Sequence, residues 1–381
     1  MTLTPPPAAP RRILLVADCV GGVWQYSLEL AAGLASQGVE MVLAVAGPQP
    51  APAQRAEAEA IPEVRLELLD AALDWQARRE RDLAPLRAQL VALAGKAEVD
   101  LVHLNGTALG DLPVDQPVVA TQHSCLATWW QAMRPGQALP QTWRWHRARM
   151  AAGLAAAAAV LVPSAAFADQ LRQAYGLQIA LDVVHNGRAL RPRRASLRRQ
   201  AVVLTAGRLW DEAKNVRTLD AAAAGIRWPV LAAGPTRGPE GQEVRLDHAM
   251  ALGTLDDAAL EERMLRAPVF VSLAIYEPFG LAVLEAALAG CALVLSDTAT
   301  FRELWHDAAL FVPAHDPAAA SDAVNHLIAE PDLRQHLATR AQSRAGAYSP
   351  QACVSGTLAV YRRVLEQAVS PPARQRLRAA G

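Results

Sequence analysis

Short, fully apolar segments alternate along the chain with longer segments whose apolar positions recur at helical spacing. The first apolar segment, Ile13–Ala17, contains no polar residue, which is typical of a strand buried on both faces of a parallel sheet. A turn with Gly21 and Gly22 follows, and then a predicted helix from Tyr26 to Gln37 that ends at Gly38. Further strands are predicted at Met41–Ala46, Val99–Leu104, Val118–Thr121 and Val160–Val162. This alternation predicts β-α-β units with helices on both faces of the sheet.

The same alternation occurs a second time after a change in composition. Residues 188–199 hold six Arg and no acid, and we interpret them as a solvated linker, with a phosphate-binding patch as the alternative. Strands are then predicted at Ala201–Ala206, Val230–Ala233, Val269–Leu273, Leu293–Ser296 and Ala309–Val312. The predicted fold class is therefore α/β, with two Rossmann-like doubly wound parallel-sheet domains that face each other across a cleft. Ligands of such sheets bind beyond the carboxyl ends of the strands.

The length of 381 residues agrees with two domains, since single cores stop growing at roughly 250–300 residues. We predict an N-terminal domain over 1–190, a C-terminal domain over 191–360, and a closing helix over 361–381 that returns toward the N-terminal domain. Residues 1–10, rich in Pro and Ala, are predicted to be a disordered tail because they lack the apolar core of a signal peptide.

Charge and cysteine content exclude several classes of protein. Lys+Arg and Asp+Glu are both 37, so the chain lacks the net positive charge of a general nucleic-acid binder. The four cysteines lie far apart, which predicts neither a zinc site nor a disulfide scaffold. The longest uncharged apolar segment, 151–163, is shorter than the roughly 20 residues that span a bilayer. We therefore expect a cytoplasmic protein.

The segment from Glu277 to Glu285 (EPFGLAVLE) is the most specific feature of the sequence. It follows a predicted strand and begins a helix, where free N–H groups at the positive end of the helix dipole bind anions or hydroxyls. Glu285 is the only charged residue in 281–295, so its helix is predicted to be buried. A buried carboxylate needs a partner. Glu285 therefore either pairs with a cation of its own domain or accepts hydrogen bonds from a sugar diol, and Glu277 is either a solvated loop residue or a second sugar ligand.

Two further segments follow predicted strand ends. In Gly207–Asn215 (GRLWDEAKN), Arg208 and Lys214 are placed to hold a diphosphate, unless they pair with the adjacent Asp211 and Glu212. His123 follows the strand at 118–121, and by itself it is better explained as a structural or surface histidine than as a ligand-binding one. His103, near the end of the predicted strand 99–104, has the same interpretations.

Together these segments resemble a known family, the group 1 (family 4) retaining glycosyltransferases, which have the GT-B fold. The resemblance covers nearly the whole chain and rests on GGV at 21–23, HNG at 185–187, GRLWDEAKN at 207–215, AGP at 233–235, LG at 252–253 and EPFGLAVLEAALAG at 277–290. The last segment contains the family's Glu-x7-Glu motif.

The resemblance implies a role for each candidate residue. Arg208 and Lys214 would bind the diphosphate of a nucleotide-sugar donor, and Glu285 would bind its ribose. The donor sugar and phosphate would be held by Glu277 and by the amides of Phe279, Gly280 and Leu281. His123 would contact the transferred sugar, and Gly21 and Gly22 would allow close approach of phosphate or acceptor. We predict that His123, Glu277, Arg208 and Lys214 act in catalysis, with no metal ion and no cofactor, because the sequence contains no Asp-x-Asp pair.

The implied reaction is transfer of a hexosyl group to an acceptor hydroxyl with retention of configuration, in cell-surface polysaccharide or glycoconjugate assembly. A nucleotide-sugar 2-epimerase of the same fold and a non-catalytic nucleotide-sugar-binding subunit are the alternatives. Arg208 and Lys214 are six positions apart where many members have five, and Thr298–Glu303 replaces the family's usual Gly-Gly segment, so the role of Glu303 stays open.

The acceptor would be a saccharide or a lipid-linked acceptor. Four Trp and several basic residues lie in 126–150, and this segment either contacts a membrane surface, stacks against sugar rings, or packs as ordinary helices.

Overall fold

Two parallel β-sheets form the framework of the protein. The computed structural model describes residues 10–176, 178–190, 197–239 and 241–369. The first sheet contains β1 Arg12–Ala17, β2 Glu40–Val45, β3 Val64–Leu68, β4 Leu101–Leu104, β5 Val118–Thr121, β6 Ala159–Val162 and β7 Asp182–Val183. The second contains β8 Val203–Ala206, β9 Val230–Ala233, β10 Met250–Gly253, β11 Val269–Ser272, β12 Ala292–Ser296 and β13 Ala309–Val312.

Helices connect the strands and cover both faces of each sheet. In the first part of the chain these are α1 Gly22–Ala35, α2 Pro52–Glu59, α3 Ala84–Lys96, α4 Leu126–Met133, α5 Arg144–Ala156 and α6 Ala165–Tyr175. The second part contains α7 Val216–Ala223, α8 Asp257–Arg266, α9 Leu281–Leu288, α10 Ala299–Trp305, α11 Pro317–Ala329, α12 Pro331–Ala345 and α13 Pro350–Val369. Short 3-10 helices occupy Glu80–Leu83, Gln141–Trp143 and Glu212–Lys214.

The strand order is the same in both sheets except that the first has a seventh strand, β7, at one edge. It is β3-β2-β1-β4-β5-β6-β7 in the first and β10-β9-β8-β11-β12-β13 in the second. In each sheet the first three strands in the sequence are added toward one edge, and the fourth pairs with the other side of the first strand. This places β1 beside β4, and β8 beside β11. Loops at the carboxyl ends of these two strand pairs form the crevice in which such sheets bind ligands.

The apolar strands are buried on both faces, as the sequence predicts. Ile13 and Leu15 contribute to the core on one side of the first sheet, and Leu14 and Val16 to the core on the other. The second sheet repeats this arrangement, because Phe270 and Val271 belong to cores on opposite faces. Three edge strands, β3, β7 and β10, are absent from the sequence prediction.

The last helix of the chain packs against the first domain. Cys353, Val354, Leu358 and Tyr361 of α13 lie in the same core as β1 and α1. The Tyr361 hydroxyl lies 2.5 Å from Nδ1 of the buried His103. The helix begins at Pro350, whereas the sequence predicts a closing helix over 361–381. The part of that prediction over 370–381, and nearly all of the predicted tail over 1–10, lie outside the described residues.

The segment between the two domains is less solvated than its composition suggests. The guanidinium of Arg188 bonds to side chains of α1 and α9, and that of Arg199 donates to the carbonyls of Met264, Ala267, Ala289 and Gly290. The contacts of Arg199 are favourable because they lie at the carboxyl ends of α8 and α9, where the helix dipoles are negative. The interpretation of 188–199 as a solvated linker is therefore wrong for Arg188, whose side chain is 15% exposed, whereas Arg199 is exposed, as predicted. Residues 191–196 lie outside the described residues.

Candidate active site

Loops from both sheets meet in the cleft between the domains. A methyl group added at Gly21 would lie 3.9 Å from Nη1 of Arg208, and one added at Gly22 would lie 2.9 Å from Cδ1 of Leu281. Gly21 and Gly22 follow β1, whereas Arg208 follows β8 and Leu281 begins the helix after β11. The amino ends of α1 and α9 are therefore close together, beside the β1–β4 and β8–β11 strand pairs.

Neither of these helix ends has a side-chain cap. Gly21 precedes α1 with φ of 67°, Gly280 precedes α9 with φ of 92°, and no acidic residue lies in either first turn. Glycine is the residue that adopts this left-handed conformation at little cost. The first four N–H groups of a helix lack partners within it and carry its positive dipole end. Two such ends in one cleft favour an anionic ligand.

Arg208 and Lys214 bring two cations to the same cleft. Arg208 is half exposed, and its Nη2 lies 2.8 Å from Oδ2 of Asp211. Lys214 Nζ lies 2.5 Å from Oε2 of Glu277. The alternative that the cations pair with adjacent acids thus holds for Arg208 alone, because Glu212 pairs with Arg134 of the other domain at 2.7 Å.

The turn that carries Lys214 is held in place by hydrogen bonds. Asp211 accepts from the amide of Ala213 at the start of the 3-10 helix. Asn215, with φ of 53°, donates through Nδ2 to the carbonyls of Leu273 and Ala314, beyond the ends of β11 and β13. The turn that carries Lys214 is consequently held by the loops that follow β8, β11 and β13.

Glu285 is largely buried, with 16% of its side chain exposed, and the protein itself supplies its counter-charge. Its Oε1 accepts from Nε of Arg188 at 2.6 Å, and Nη1 of Arg188 lies 2.7 Å from Oε1 of Glu29. Burial raises the pKa of Glu285 above its ordinary value, and Arg188 offsets part of that rise. The partner is thus a cation from the segment between the domains. Because this ion pair compensates the burial, the burial of Glu285 is not by itself evidence of a ligand.

A cavity of about 280 Å³ lies beside this ion pair. Glu285, Arg188, Gln25 and Glu29 line it together with residues of α8. Both domains form this cavity, since Gln25 belongs to α1 and Asp257 to α8. Nε2 of Gln25 donates to Asp257 at 2.9 Å across it. Glu285 therefore lies in the wall of an interdomain cavity despite its ion pair.

His123 lies on the first-domain side of the cleft in a defined protonation state. Asn105 donates through Nδ2 to the carbonyl of Val16 and to Oγ of Ser27, which leaves its Oδ1 to accept from Nε2 of His123 at 3.0 Å. Burial lowers the pKa of His123 to about 4, so the ring is neutral at neutral pH. Nδ1 is then the unprotonated nitrogen.

His103, in contrast, belongs to the core. Its Nε2 lies 2.7 Å from Oγ1 of Thr121, its Nδ1 bonds to Tyr361, and the residue is completely buried. Burial lowers the pKa of His103 to about 3. The structural interpretation of this histidine is correct.

Two family models match the chain. Glycosyltransferase Family 4 matches residues 20–190, and Glycosyl transferases group 1 matches residues 189–344, so that together they cover both sheets. The chain belongs to the group 1 glycosyltransferases. It is therefore an enzyme of this class, and the resemblance to this family noted in its sequence is confirmed, while retention of configuration stays a prediction.

Known relatives of this glycosyltransferase share its fold over most of its length. Sucrose-phosphate synthase from Thermosynechococcus elongatus has a TM-score of 0.79 at 21% identity and covers 93% of this chain and 99% of its own. Anabaena HepE in complex with UDP-glucose has a TM-score of 0.69 at 18% identity, covering 94% of this chain and 99% of its own. These likenesses confirm the predicted GT-B fold.

A curated relative has a higher identity over a shorter segment. Phosphatidyl-myo-inositol mannosyltransferase of Mycobacterium leprae is 32% identical over 122 residues, which is 31% of this chain. The match spans 33% of that relative, about a third of its length.

Sequence reasoning missed the contacts that hold the two domains of the glycosyltransferase together. Glu303 of α10 accepts hydrogen bonds from the amides of Ala165 and Ala166, at the start of α6 in the other domain, at 2.9 and 2.6 Å. Oγ of Ser164 donates to the carbonyl of Pro278 at 2.7 Å. Glu303 thus binds a helix end across the cleft, a role that the sequence left open because its partners lie far away along the chain.

The aromatic and basic residues of 126–150 are mostly integrated into the first domain. Trp129 and Trp145 pack against its cores, and the indole N–H of Trp130 donates to the carbonyl of Gln137. Arg144 and Arg147 are exposed. Ordinary helix packing therefore accounts for much of this segment. In the described part of the chain, every helix is too short or too polar to cross a membrane.

Proposed function

We propose that this glycosyltransferase moves a hexosyl group from a nucleoside-diphosphate sugar to an acceptor hydroxyl and retains the anomeric configuration. The observation that carries the proposal is the meeting of two uncapped helix ends with Arg208 and Lys214 in one cleft. Four positive groups around one space are suited to the diphosphate that leaves in such a reaction.

The leaving diphosphate is stabilised in this mechanism by groups that are already in place. Arg208, Lys214 and the amides at the start of α9 surround the oxygen that gains charge as the glycosidic bond breaks, a preorganised arrangement that avoids reorganisation during the reaction. These groups provide the charge that a divalent metal ion supplies in other transferases, so we propose that no metal and no cofactor is needed.

The remaining residues bind the donor. Oε2 of Glu277 accepts from Lys214, so Oε1 is the oxygen that receives a hydroxyl of the hexosyl ring. Oε1 of Glu285 is held by Arg188, so Oε2 receives the ribose hydroxyls. Nδ1 of the neutral His123 accepts from a hydroxyl of the transferred sugar. We propose that the acceptor proton passes to the leaving phosphate on the same face, without a separate base.

The biological setting belongs to the same proposal. We place the enzyme in the cytoplasm, in cell-surface polysaccharide or glycoconjugate assembly, with a saccharide or lipid-linked acceptor. Exposed Arg144 and Arg147 support a peripheral contact of 126–150 with a membrane surface. A mannosyltransferase among the relatives supports the hexosyl donor.

Ligand binding tests the donor site directly. In a thermal-shift panel, one nucleoside diphosphate and its sugars are expected to raise the melting temperature, since a ligand of the native state stabilises it by RT ln(1 + [L]/Kd). Incubation with the stabilising sugar nucleotide alone should release diphosphate slowly to water. Formation of an epimer instead would support the 2-epimerase, and binding without any turnover, even with acceptors added, would support the non-catalytic subunit.

The variant Lys214→Ala tests the catalytic assignment. We expect turnover to fall on the order of 10²-fold or more, because the cation acts on charge that develops in the transition state. The chain offers a matched control in Lys96→Ala, since its two lysines are Lys96, exposed at the end of α3, and Lys214. Equal turnover of the two variants would remove Lys214 from the mechanism.

A further inference from the structure

Tyr276 of the second domain is buried in a core of the first. It lies between β11 and α9, immediately before Glu277, and is 6% exposed. The core that contains it is built mainly by α4, α5, β6 and α6 of the first domain, and includes Cys125, Phe167 and Tyr175. A side chain of the second domain thus reaches across the cleft and fills a space in the first.

The hydroxyl of Tyr276 makes a directed hydrogen bond to the first domain. Its oxygen lies 2.8 Å from Oγ1 of Thr128 in α4. The single proton of the Thr128 hydroxyl goes to the carbonyl of Cys125 at 3.0 Å, so Tyr276 is the donor to Thr128. Burial raises the pKa of Tyr276 above its ordinary value, so the phenol keeps the proton that it donates. Direction as well as packing therefore fixes the position of this side chain.

The turn that carries Lys214 enters the same core. Ala213, directly before Lys214, is buried in it. The amide of Ile275 donates to the carbonyl of Ala213 at 2.9 Å, which joins the two segments that enter the first domain. Lys214 and Glu277, whose side chains are 2.5 Å apart, thus each follow a residue that is buried in the first domain.

The helix that contains Thr128 is closely joined to His123. Only Ser124 and Cys125 separate this histidine from the start of α4. Gln122, on the other side of His123, donates through Nε2 to the carbonyl of Ser124. These hydrogen bonds make the turn a compact unit with the beginning of α4. A contact that positions α4 therefore also positions His123.

We propose that Tyr276 is a positioning residue that fixes Glu277 of the second domain relative to His123 of the first. It acts through the hydrogen bond to Thr128 and thus through α4. The inference rests on the proposed function, which gives Glu277 and His123 their contacts with the transferred sugar. Because Tyr276 is buried, it does not touch the sugar itself. Misplacement of a reacting group by about 1 Å can cost on the order of 10²-fold in rate, so the effect belongs in turnover.

Removal of the hydrogen bond from either side tests this role. Tyr276→Phe keeps the ring in the core and removes the donor, and Thr128→Val removes the acceptor. The rate is the release of diphosphate to water from the sugar nucleotide that raises the melting temperature in the thermal-shift panel. We expect kcat to fall about tenfold in each variant, with the Kd of the nucleoside diphosphate nearly unchanged. Thr128→Ser keeps a hydroxyl and should retain most of the turnover.

A double variant and a matched control separate positioning from stability. Since both single changes remove the same bond, Tyr276→Phe/Thr128→Val should lose no more turnover than either single variant. Tyr175→Phe is the control, because it removes a buried hydroxyl from the same core whose partner, Sγ of Cys125 at 3.5 Å, belongs to the same domain. Its kcat should equal that of the wild type. Urea unfolding of each variant establishes that the rates are those of folded protein.

The outcomes distinguish this inference from the proposed function. Wild-type kcat in Tyr276→Phe and Thr128→Val would overturn the inference, and so would losses that multiply in the double variant or an equal loss in Tyr175→Phe. A weaker Kd at unchanged kcat would overturn it as well, since Tyr276 would then act in donor binding. A wild-type enzyme that neither binds sugar nucleotides nor hydrolyses them would instead overturn the proposed function, and this inference with it.

Discussion

The ion-pair group around Arg188 predicts a large loss of stability when its cation is removed. Arg188 contacts Glu285 at 2.6 Å, Glu29 at 2.7 Å and Asp257 at 3.4 Å. The side chains of Arg188, Glu285 and Glu29 are only 15%, 16% and 23% exposed. Removing one partner of a buried ion pair costs about 3–5 kcal/mol, because the other charge stays buried without compensation. For Arg188→Met we expect about 3 kcal/mol near pH 8, since the group is partly solvated.

The loss should depend on pH with a definite sign. Burial already raises the pKa of Glu285 and of Glu29 above the ordinary 4.5, and removal of Arg188 raises both further. A carboxyl with a raised folded-state pKa favours the native state while it is protonated, so its cost appears as pH rises from 4.5 through the folded-state pKa. The stability lost in Arg188→Met is therefore smaller at pH 5 than at pH 8.

Urea unfolding at the two pH values measures this difference. The double variant Arg188→Met/Glu285→Gln should regain at least about 1 kcal/mol at pH 8, because one uncompensated charge is gone. Arg55→Met is the control, since Arg55 pairs with Glu59 on an exposed helix face and should lose no more than about 1 kcal/mol. Equal losses at both pH values, or no recovery in the double variant, would refute this account of the ion-pair group.

Two interdomain contacts yield further predictions. Glu303→Gln removes the charge that holds the start of α6, and we expect a more open free enzyme with a larger radius of gyration in small-angle scattering; an unchanged radius would show that the contact does not hold the domains closed. In Gly22→Val the added Cβ would lie 2.9 Å from Cδ1 of Leu281, so turnover should fall at least about tenfold. Gly95→Val is the control, because its added Cβ meets nothing within 4 Å. Equal kinetics of the two variants would argue against a close approach at Gly22.

The strands that the sequence predicts are those covered on both faces. β1 and β11 show continuous apolar residues because each side of the sheet carries a core, and this pattern is visible without knowledge of their neighbours. The missed strands lie at sheet edges. β3 alternates polar and apolar residues, β10 is mostly exposed, and β7 has two residues. Their pairing depends on the adjacent strand more than on their own composition.

In the candidate site, too, the local sequence predicts the positions of some residues but not the contacts between residues far apart in the sequence. Arg208, Lys214 and Glu277 could be placed at strand ends because each follows its own strand in the sequence. The partner of Glu285 could not be found in this way, because Arg188 lies 97 positions away in an arginine-rich segment of otherwise solvated appearance. The contact of Arg188 with Glu29 spans 159 positions. The pair of Arg188 with Glu285 forms when the two domains come together, and neither local sequence shows which residue is the partner of the other.

The position of α13 has a consequence for the order in which the molecule forms during synthesis. The domain that leaves the ribosome first lacks one of its helices until α13 has been synthesised, because Val354, Leu358 and Tyr361 complete its core. Until then His103 also lacks its hydrogen bond to the Tyr361 hydroxyl. The early domain cannot reach its final stability before the later one has emerged, so a nascent chain halted after α12 should expose apolar surface to chaperones and proteases even though its first sheet is complete.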